Sequence, residues 1–190
     1  MPASEADPSR RPGRADLLAA YGRTVPDLVA PGLRVLLCGI NPSLWSGAVG
    51  LHFARPANRL WPTLHLAGFT PRRLHPSETA ELLAAGIGVT NLVARATARA
   101  DEIPVAELRA GVGPLTALID GWRPAYLAFL GLSAYRSAFG RPAAAVGPQP
   151  RPLGPVRVWL LPNPSGLNAH YQQAELTAAY AELRLAAYAD

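Results

Sequence analysis

An α/β/α sandwich built on a mainly parallel sheet is the fold class that this sequence predicts, on three observations. Residues 33–40, 125–130 and 156–161 are continuous apolar runs, the pattern of strands buried on both faces. Stretches with helical periodicity and helix-end signals lie between them, so strands and helices alternate along the chain. Two of the runs end in loops that place an asparagine beside a proline, Gly39-Ile40-Asn41-Pro42 and Leu161-Pro162-Asn163-Pro164. In an open parallel sheet the carboxyl ends of strands are where ligands bind, so two such loops can face one pocket.

The elements follow in order. Residues 1–14 mix Pro, Ser, Arg and acids without an apolar stretch, so they read as a disordered tail rather than a secretory signal. No repeat or linker divides 15–190, which read as a single domain; the chain's 190 residues, 49% of them hydrophobic, suffice for a full core. A short helix is predicted over 14–23, then the first strand over 33–40, stopped by Asn41-Pro42. Residues 43–56, with two glycines and no clean period, read as loop. A helix follows over 57–68, with Gly68 just past its end, and another over 77–85, with Ser77 as cap and Glu78 in the first turn. Residues 87–90 form a short strand that delivers Asn91 into a loop. The apolar face of 104–119 predicts one helix with Pro104 in its first turn. Strand 125–130 leads to a helix over 133–139. Residues 141–155, dense in Pro and Gly, read as an exposed connection to the strand 156–161. Residues 172–187 close the chain as an amphipathic helix.

Composition excludes several chemistries. All 18 basic residues are arginine. Without lysine there is no lysine Schiff base, pyridoxal-phosphate site or Walker A loop. Cys38, alone in an apolar run, reads as a core thiol, and one cysteine builds neither a disulfide framework nor a cysteine-based zinc site. His52, His65, His75 and His170 form no i, i+4 pair, so no metal is expected. No apolar run approaches the roughly 18 residues of a membrane span. The net charge of +5 fits a polyanionic partner such as nucleic acid.

The two Asn-Pro loops offer carboxamides, stiff backbone and a leucine, a set suited to holding an uncharged planar ring. Asn41 can orient a water through its carbonyl, or simply turn the chain before proline. Leu167, on a Pro-Ser-Gly loop, is either a wedge or a buried anchor. Phe53 is either a stacking platform or ordinary core. Asn91 and Thr97 are either pocket groups or turn residues.

The segment Gly39-Ile40-Asn41-Pro42-Ser43-Leu44-Trp45-Ser46, continuing through Phe53 and Asn58 to Trp61, resembles the first motif of the mismatch-specific uracil-DNA and thymine-DNA glycosylases. Leu161-Pro162-Asn163-Pro164-Ser165-Gly166-Leu167 resembles the second motif of the bacterial mismatch-specific branch. Gly88-Val89-Thr90-Asn91-Leu92 through Thr97 lies where that family has a similar segment. Order and approximate spacing agree from Leu33 to the C-terminus.

The resemblance implies a three-layer α/β/α sandwich and a DNA-repair glycosylase. Its reaction would be hydrolysis of the N-glycosidic bond of uracil, or of thymine or etheno-cytosine, opposite guanine, by base flipping and leaving an abasic site. Asn41 would position the water. Ile40, Ser46, Phe53, Asn91, Thr97 and Asn163 would form the base pocket, with backbone N–H groups near Ile40 and Ser46 and the Asn163 amide stabilising the leaving base. Ser165, Gly166, Leu167 and Asn168 would enter the duplex, Gly166 by close approach to phosphate or the orphan base. Burying a leucine yields about 1.5–3 kcal/mol, comparable to the few kcal/mol that flipping costs. Arg55, Arg59 and Arg95 are candidate phosphate contacts or plain solvated residues. Trp45 replaces a small residue common in the family, and Asn168 stands where some relatives carry arginine. No cofactor is expected; the partner is double-stranded DNA, and a cytoplasmic, nucleoid-associated monomer is implied. With no lysine, the strand is expected to stay uncut, and turnover to be slow because an amide is no general base. A non-catalytic binder of mismatched or abasic DNA, or a nucleoside hydrolase, would use the same residues differently.

Overall fold

Alternate residues of the first strand face opposite ways into two apolar cores, and the rest of the chain is arranged around that division. The computed structural model describes residues 11–189. Its strands are β1 (Val35–Gly39), β2 (Ile87–Asn91), β3 (Tyr126–Leu130), β4 (Gly147–Pro148) and β5 (Arg157–Leu161). Its helices are α1 (Arg14–Ala19), α2 (Leu44–Val49), α3 (Leu60–Leu66), α4 (Thr79–Ala84), α5 (Val105–Ala110), α6 (Val112–Trp122), α7 (Leu132–Phe139) and α8 (Gln173–Tyr188). The sheet order is β2-β1-β3-β5-β4. All pairings are parallel except β4 with β5.

Val35 and Leu37 of β1 enter one core, where Leu60, Leu82, Leu176 and Tyr180 bring in α3, α4 and α8. Leu36 and Cys38 enter the other, where Leu108, Ile119 and Tyr135 bring in α5, α6 and α7. This is the two-fold alternation of a pleated strand covered on both faces, and it makes the expected three layers. Leu36, Leu37, Leu127 and Leu160 are wholly excluded from water, each contributing about 1.5–3 kcal/mol. Among the described residues no helix is long and apolar enough to cross a membrane.

Several boundaries differ from the sequence reading. Of the expected tail 1–14, residues 1–10 lie outside the described residues, and Arg14 already opens α1. That helix stops at Ala19, because the Arg23 carbonyl and the Gly22 N–H bond to Ala96 instead of continuing the turn. The supposed loop 43–56 contains α2: Ser43 Oγ accepts from the Ser46 N–H, and Gly50 closes the helix. The next helix starts at Leu60 rather than at 57, where Asn58 Oδ1 takes the first N–H. Glu78, not Ser77, stands at the cap of α4. The single helix expected over 104–119 is two, α5 and α6, broken at Gly111. Pro114 supplies no N–H to the carbonyl one turn back, and any side chain at Gly111 would collide with the Leu92 carbonyl. The connection 141–155 carries β4, an edge strand too short for a periodic signal.

Candidate active site

The segments that follow β1, β2, β3 and β5 converge at the carboxyl edge of the sheet around one cleft of about 550 Å³. Every residue expected at the site lines it except Gly166. Asn41 and Leu167 therefore share one cavity.

Asn41 leaves β1 with its side chain fixed. Its Nδ2 donates to Thr97 Oγ1 (2.7 Å), the Arg95 carbonyl (3.1 Å) and the Pro42 carbonyl (3.2 Å). Turned over, the amide would press its oxygen against two carbonyl oxygens, so the orientation is forced. The Thr97 hydroxyl in turn donates to the Arg99 carbonyl (2.7 Å). Thr97, 1% exposed, thus acts by holding Asn41 rather than by offering a group to a ligand. No donor among the described residues reaches Asn41 Oδ1, which leaves an acceptor facing the cleft.

Asn163, after β5, has the opposite polarity. Its Oδ1 accepts from the Ser165 N–H (2.9 Å), the hydrogen bond of an Asx turn. Its Nδ2 lies beside Gly131, the residue after β3, whose φ of 138° is a conformation that L side chains rarely adopt. The cleft is therefore edged by an amide oxygen on one side and an amide N–H₂ on the other.

His52 also lines the cleft, a placement that sequence reading did not single out. Only 8% exposed, it directs Nε2 to the Pro26 carbonyl (2.8 Å), so that nitrogen carries the hydrogen. Burial lowers its proton affinity, the Pro26 carbonyl and Asp27 opposing more weakly, and the ring is neutral. Its Nδ1 must accept, and Asn91 Nδ2 approaches it at 3.3 Å. Asn91 Oδ1 is thereby placed over Gly39. A methyl group at residue 39 would collide with that oxygen and lie 3.0 Å from Phe53 Cζ. Phe53 itself sits at φ 50°, costing on the order of 1–3 kcal/mol, held by the Trp61 Nε1–H bond to its carbonyl (3.2 Å). Its partly buried ring packs against the first core and also lines the cleft.

The structure places the remaining expected residues as follows, keeping some roles and correcting others. The Ser46 N–H, a candidate donor to the leaving base, bonds Ser43 Oγ (3.2 Å), and Ser46 Oγ accepts from the Ala54 N–H. Ile40 packs its side chain toward Gly131 as part of the floor. Trp45 is not in the cleft wall, so it does not narrow it; its ring carries the Arg11 guanidinium. The Asn168 side chain is engaged within its own loop, donating to the Asn163 carbonyl (2.9 Å) and accepting from the His170 N–H (3.2 Å). Gly166 is required where the loop rides over the Ala57 carbonyl, which a Cβ would meet at 2.5 Å. Leu167 projects from this braced loop with 67% of its surface exposed. Arg95 grips Glu107 through two bonds of 2.7 Å, and Arg59 turns inward, so of the three candidate phosphate contacts Arg55 alone stands exposed on the cleft rim. Among the described residues no group of three His, Cys, Asp or Glu could hold a metal ion.

A family model described as the uracil DNA glycosylase superfamily matches residues 26–184. The fold is similar to that of a candidate uracil DNA glycosylase from Methanosarcina acetivorans, solved by NMR in solution. The TM-score is 0.59 at 18% identity, over 86% of this chain and 99% of that one.

Proposed function

The chain belongs to the uracil DNA glycosylase superfamily, and from that premise we propose that it hydrolyses the N-glycosidic bond of uracil mispaired with guanine in double-stranded DNA. The observation that carries this reading is the opposed pair of amides, Asn41 with only its oxygen turned to the cleft and Asn163 with only its N–H₂. An extruded pyrimidine needs both. On one side a water must be held for attack at C1′; on the other, the carbonyl that gains charge as the base departs needs a donor.

In the proposed step Asn41 Oδ1 accepts a hydrogen bond from the water, aims its oxygen at C1′ and stabilises the positive charge developing on the sugar. The bond from C1′ to N1 breaks as the water's bond forms, and its electron pair goes to the uracil ring, where Asn163 Nδ2–H steadies the anionic oxygen. The excess proton passes to solvent, and an abasic site remains. Phe53 stacks on the ring, and Asn91 faces its polar edge. Leu167 fills the vacated stack while Arg55 meets phosphate. Because an amide is no general base, the 10²- to 10⁴-fold typical of one is missing and turnover is slow. The lysine-free chain leaves the strand uncut.

The test is single-turnover incubation with a duplex holding one U·G pair, scored for alkali-labile breaks, with T·G and etheno-cytosine·G duplexes in parallel. Excision abolished in Asn41→Ala with duplex binding retained is the expected result. Tight mismatch binding by the wild type without excision of any base would overturn the enzymatic reading in favour of a binding protein. Free uridine hydrolysed as fast as duplex uracil would overturn the DNA reading.

A further inference from the structure

The loop that carries Leu167 has no secondary structure of its own between β5 and α8, yet one distant residue holds four of its carbonyls, three of them through its side chain. Arg59 donates Nη1–H to the Tyr171 carbonyl (2.6 Å) and Nη2–H to those of Ser165 and Asn168 (both 2.9 Å). Its backbone N–H donates to the Pro164 carbonyl (3.0 Å). The guanidinium Nε is buried, so the group sits beneath the loop and not toward solvent. Arg59 is anchored in turn: its carbonyl accepts from the Thr63 hydroxyl (2.6 Å), which accepts from Gln173 Nε2 (2.8 Å) at the start of α8. The following residues, Leu60 and Leu64, lie in the core.

We infer that Arg59 is a positioning residue for strand penetration: it holds the loop 163–171 in the shape that projects Leu167, and acts on DNA only through that loop. This rests on the reading of Leu167 as the wedge. A planar fork suits carbonyls that meet two separate nitrogens, Nη1 and Nη2; an ammonium has three N–H donors but all on one nitrogen, and does not reproduce that spacing. The loop's internal bonds, which join Asn163 to Ser165 and Asn168, Ser165 to Leu167 and Asn168, and Asn168 to His170, close local turns, whereas the bonds from Arg59 tie the loop to the start of α3.

The experiment compares wild type, Arg59→Lys, Arg59→Met, Leu167→Ala and the two double variants on the U·G duplex. Arg59→Lys, which keeps charge and stem, is the variant to rely on if Arg59→Met melts early. Either single change at Arg59 is expected to slow excision by about tenfold, within the range of coupled neighbours. Added to Leu167→Ala, neither should slow it further. Losses that multiply in the double variants, or wild-type rates in Arg59→Lys and Arg59→Met, would overturn the inference. Amide hydrogen exchange without DNA gives an independent arm: residues 165–170 should exchange at least tenfold faster in both variants, with β1, β3 and β5 unchanged. Unaltered exchange in that loop refutes the role of Arg59 even if the wild type cleaves no base, whereas faster exchange beside an inactive wild type refutes only the glycosylase reading.

Discussion

Thr97→Val is the sharpest probe of how the water would be held. The substitution keeps shape and removes one oxygen, a node that accepts from Asn41 at 2.7 Å and donates to the Arg99 carbonyl at 2.7 Å. Asn41 keeps the weaker contacts to Arg95 and Pro42, at 3.1 and 3.2 Å, while the Arg99 carbonyl loses its partner. Leaving one group unpaired costs about 1–3 kcal/mol. For a domain of this size 2 kcal/mol corresponds to a fall in Tm of about 4–8 °C. The kinetic effect is larger, because a displacement near 1 Å at the reacting centre can cost about 100-fold. Single-turnover excision from a U·G duplex is therefore expected to slow 10- to 100-fold in Thr97→Val, on the order given by such misplacement. Affinity for an abasic product duplex should hardly change, and Thr97→Ser should keep the wild-type rate. A lowered Tm with an unchanged rate would refute the reasoning: Asn41 would not be oriented through this hydroxyl, or would not act on the water.

Three further outcomes are expected. Leu167→Ala should weaken excision from duplex by roughly 10- to 150-fold, the equivalent of 1.5–3 kcal/mol of apolar burial, and leave excision from a single-stranded uracil oligonucleotide unchanged; equal losses on both substrates would count against the wedge. Asn163→Asp keeps the acceptor of the Asx turn and removes the N–H₂, so the chemical step should slow about 10²- to 10³-fold, as when an oxyanion donor is lost, with Tm near wild type; a wild-type rate would remove Asn163 from the reaction. His52 titrates below its ordinary value of 6.5 because it is buried. Between the two values the unfolded chain holds the proton and the folded chain does not, so its contribution to stability is complete above about pH 6.5 and declines as pH falls toward the lowered folded value. Melting followed from pH 7.5 down to 5 should show this decline in the wild type and a flatter profile in His52→Gln; identical slopes would exclude His52 as its source.

Most of the sheet was legible because a strand buried on both faces needs no partner to be recognised: five consecutive apolar residues in β1 or β3 carry the signal locally. The site loops were legible for a similar reason, since Asn-Pro stops a strand and places a carboxamide at its end. What escaped reading has one physical origin. α2 is six residues long, defined by its caps rather than by a periodic face, and β4 is two residues whose only signature is pairing with β5. Arg59 meets its carbonyls across 106 to 112 residues, and His52 meets Asn91 across 39. Such bonds exist only once the sheet has brought distant loops together, so neither periodicity nor residue type announces them. The same holds for Thr97 and Asn168, whose residue types admit a ligand contact but whose hydrogen bonds in the fold turn inward.

The topology also explains why the proposed chemistry rests on carboxamides. Asn41 follows β1 and Asn163 follows β5, with β3 paired between them. Neighbouring strands lie about 4.8 Å apart, so the loops that carry Asn41 and Asn163 leave the sheet two spacings apart, about 10 Å, on the two flanks of the cleft. β3 is followed there by Gly131, where a Cβ would approach Ile40 to 3.2 Å and narrow the middle of the cleft. On the Asn41 side the nearest polar neighbours are the Arg95 and Pro42 carbonyls and a hydroxyl already donating elsewhere. A carboxylate set in that place would turn one oxygen against the Arg95 and Pro42 carbonyls, which disfavours its charge. The amide fits these surroundings, and in the proposed mechanism the lack of a general base follows from how the loop after β2 folds against the loop after β1.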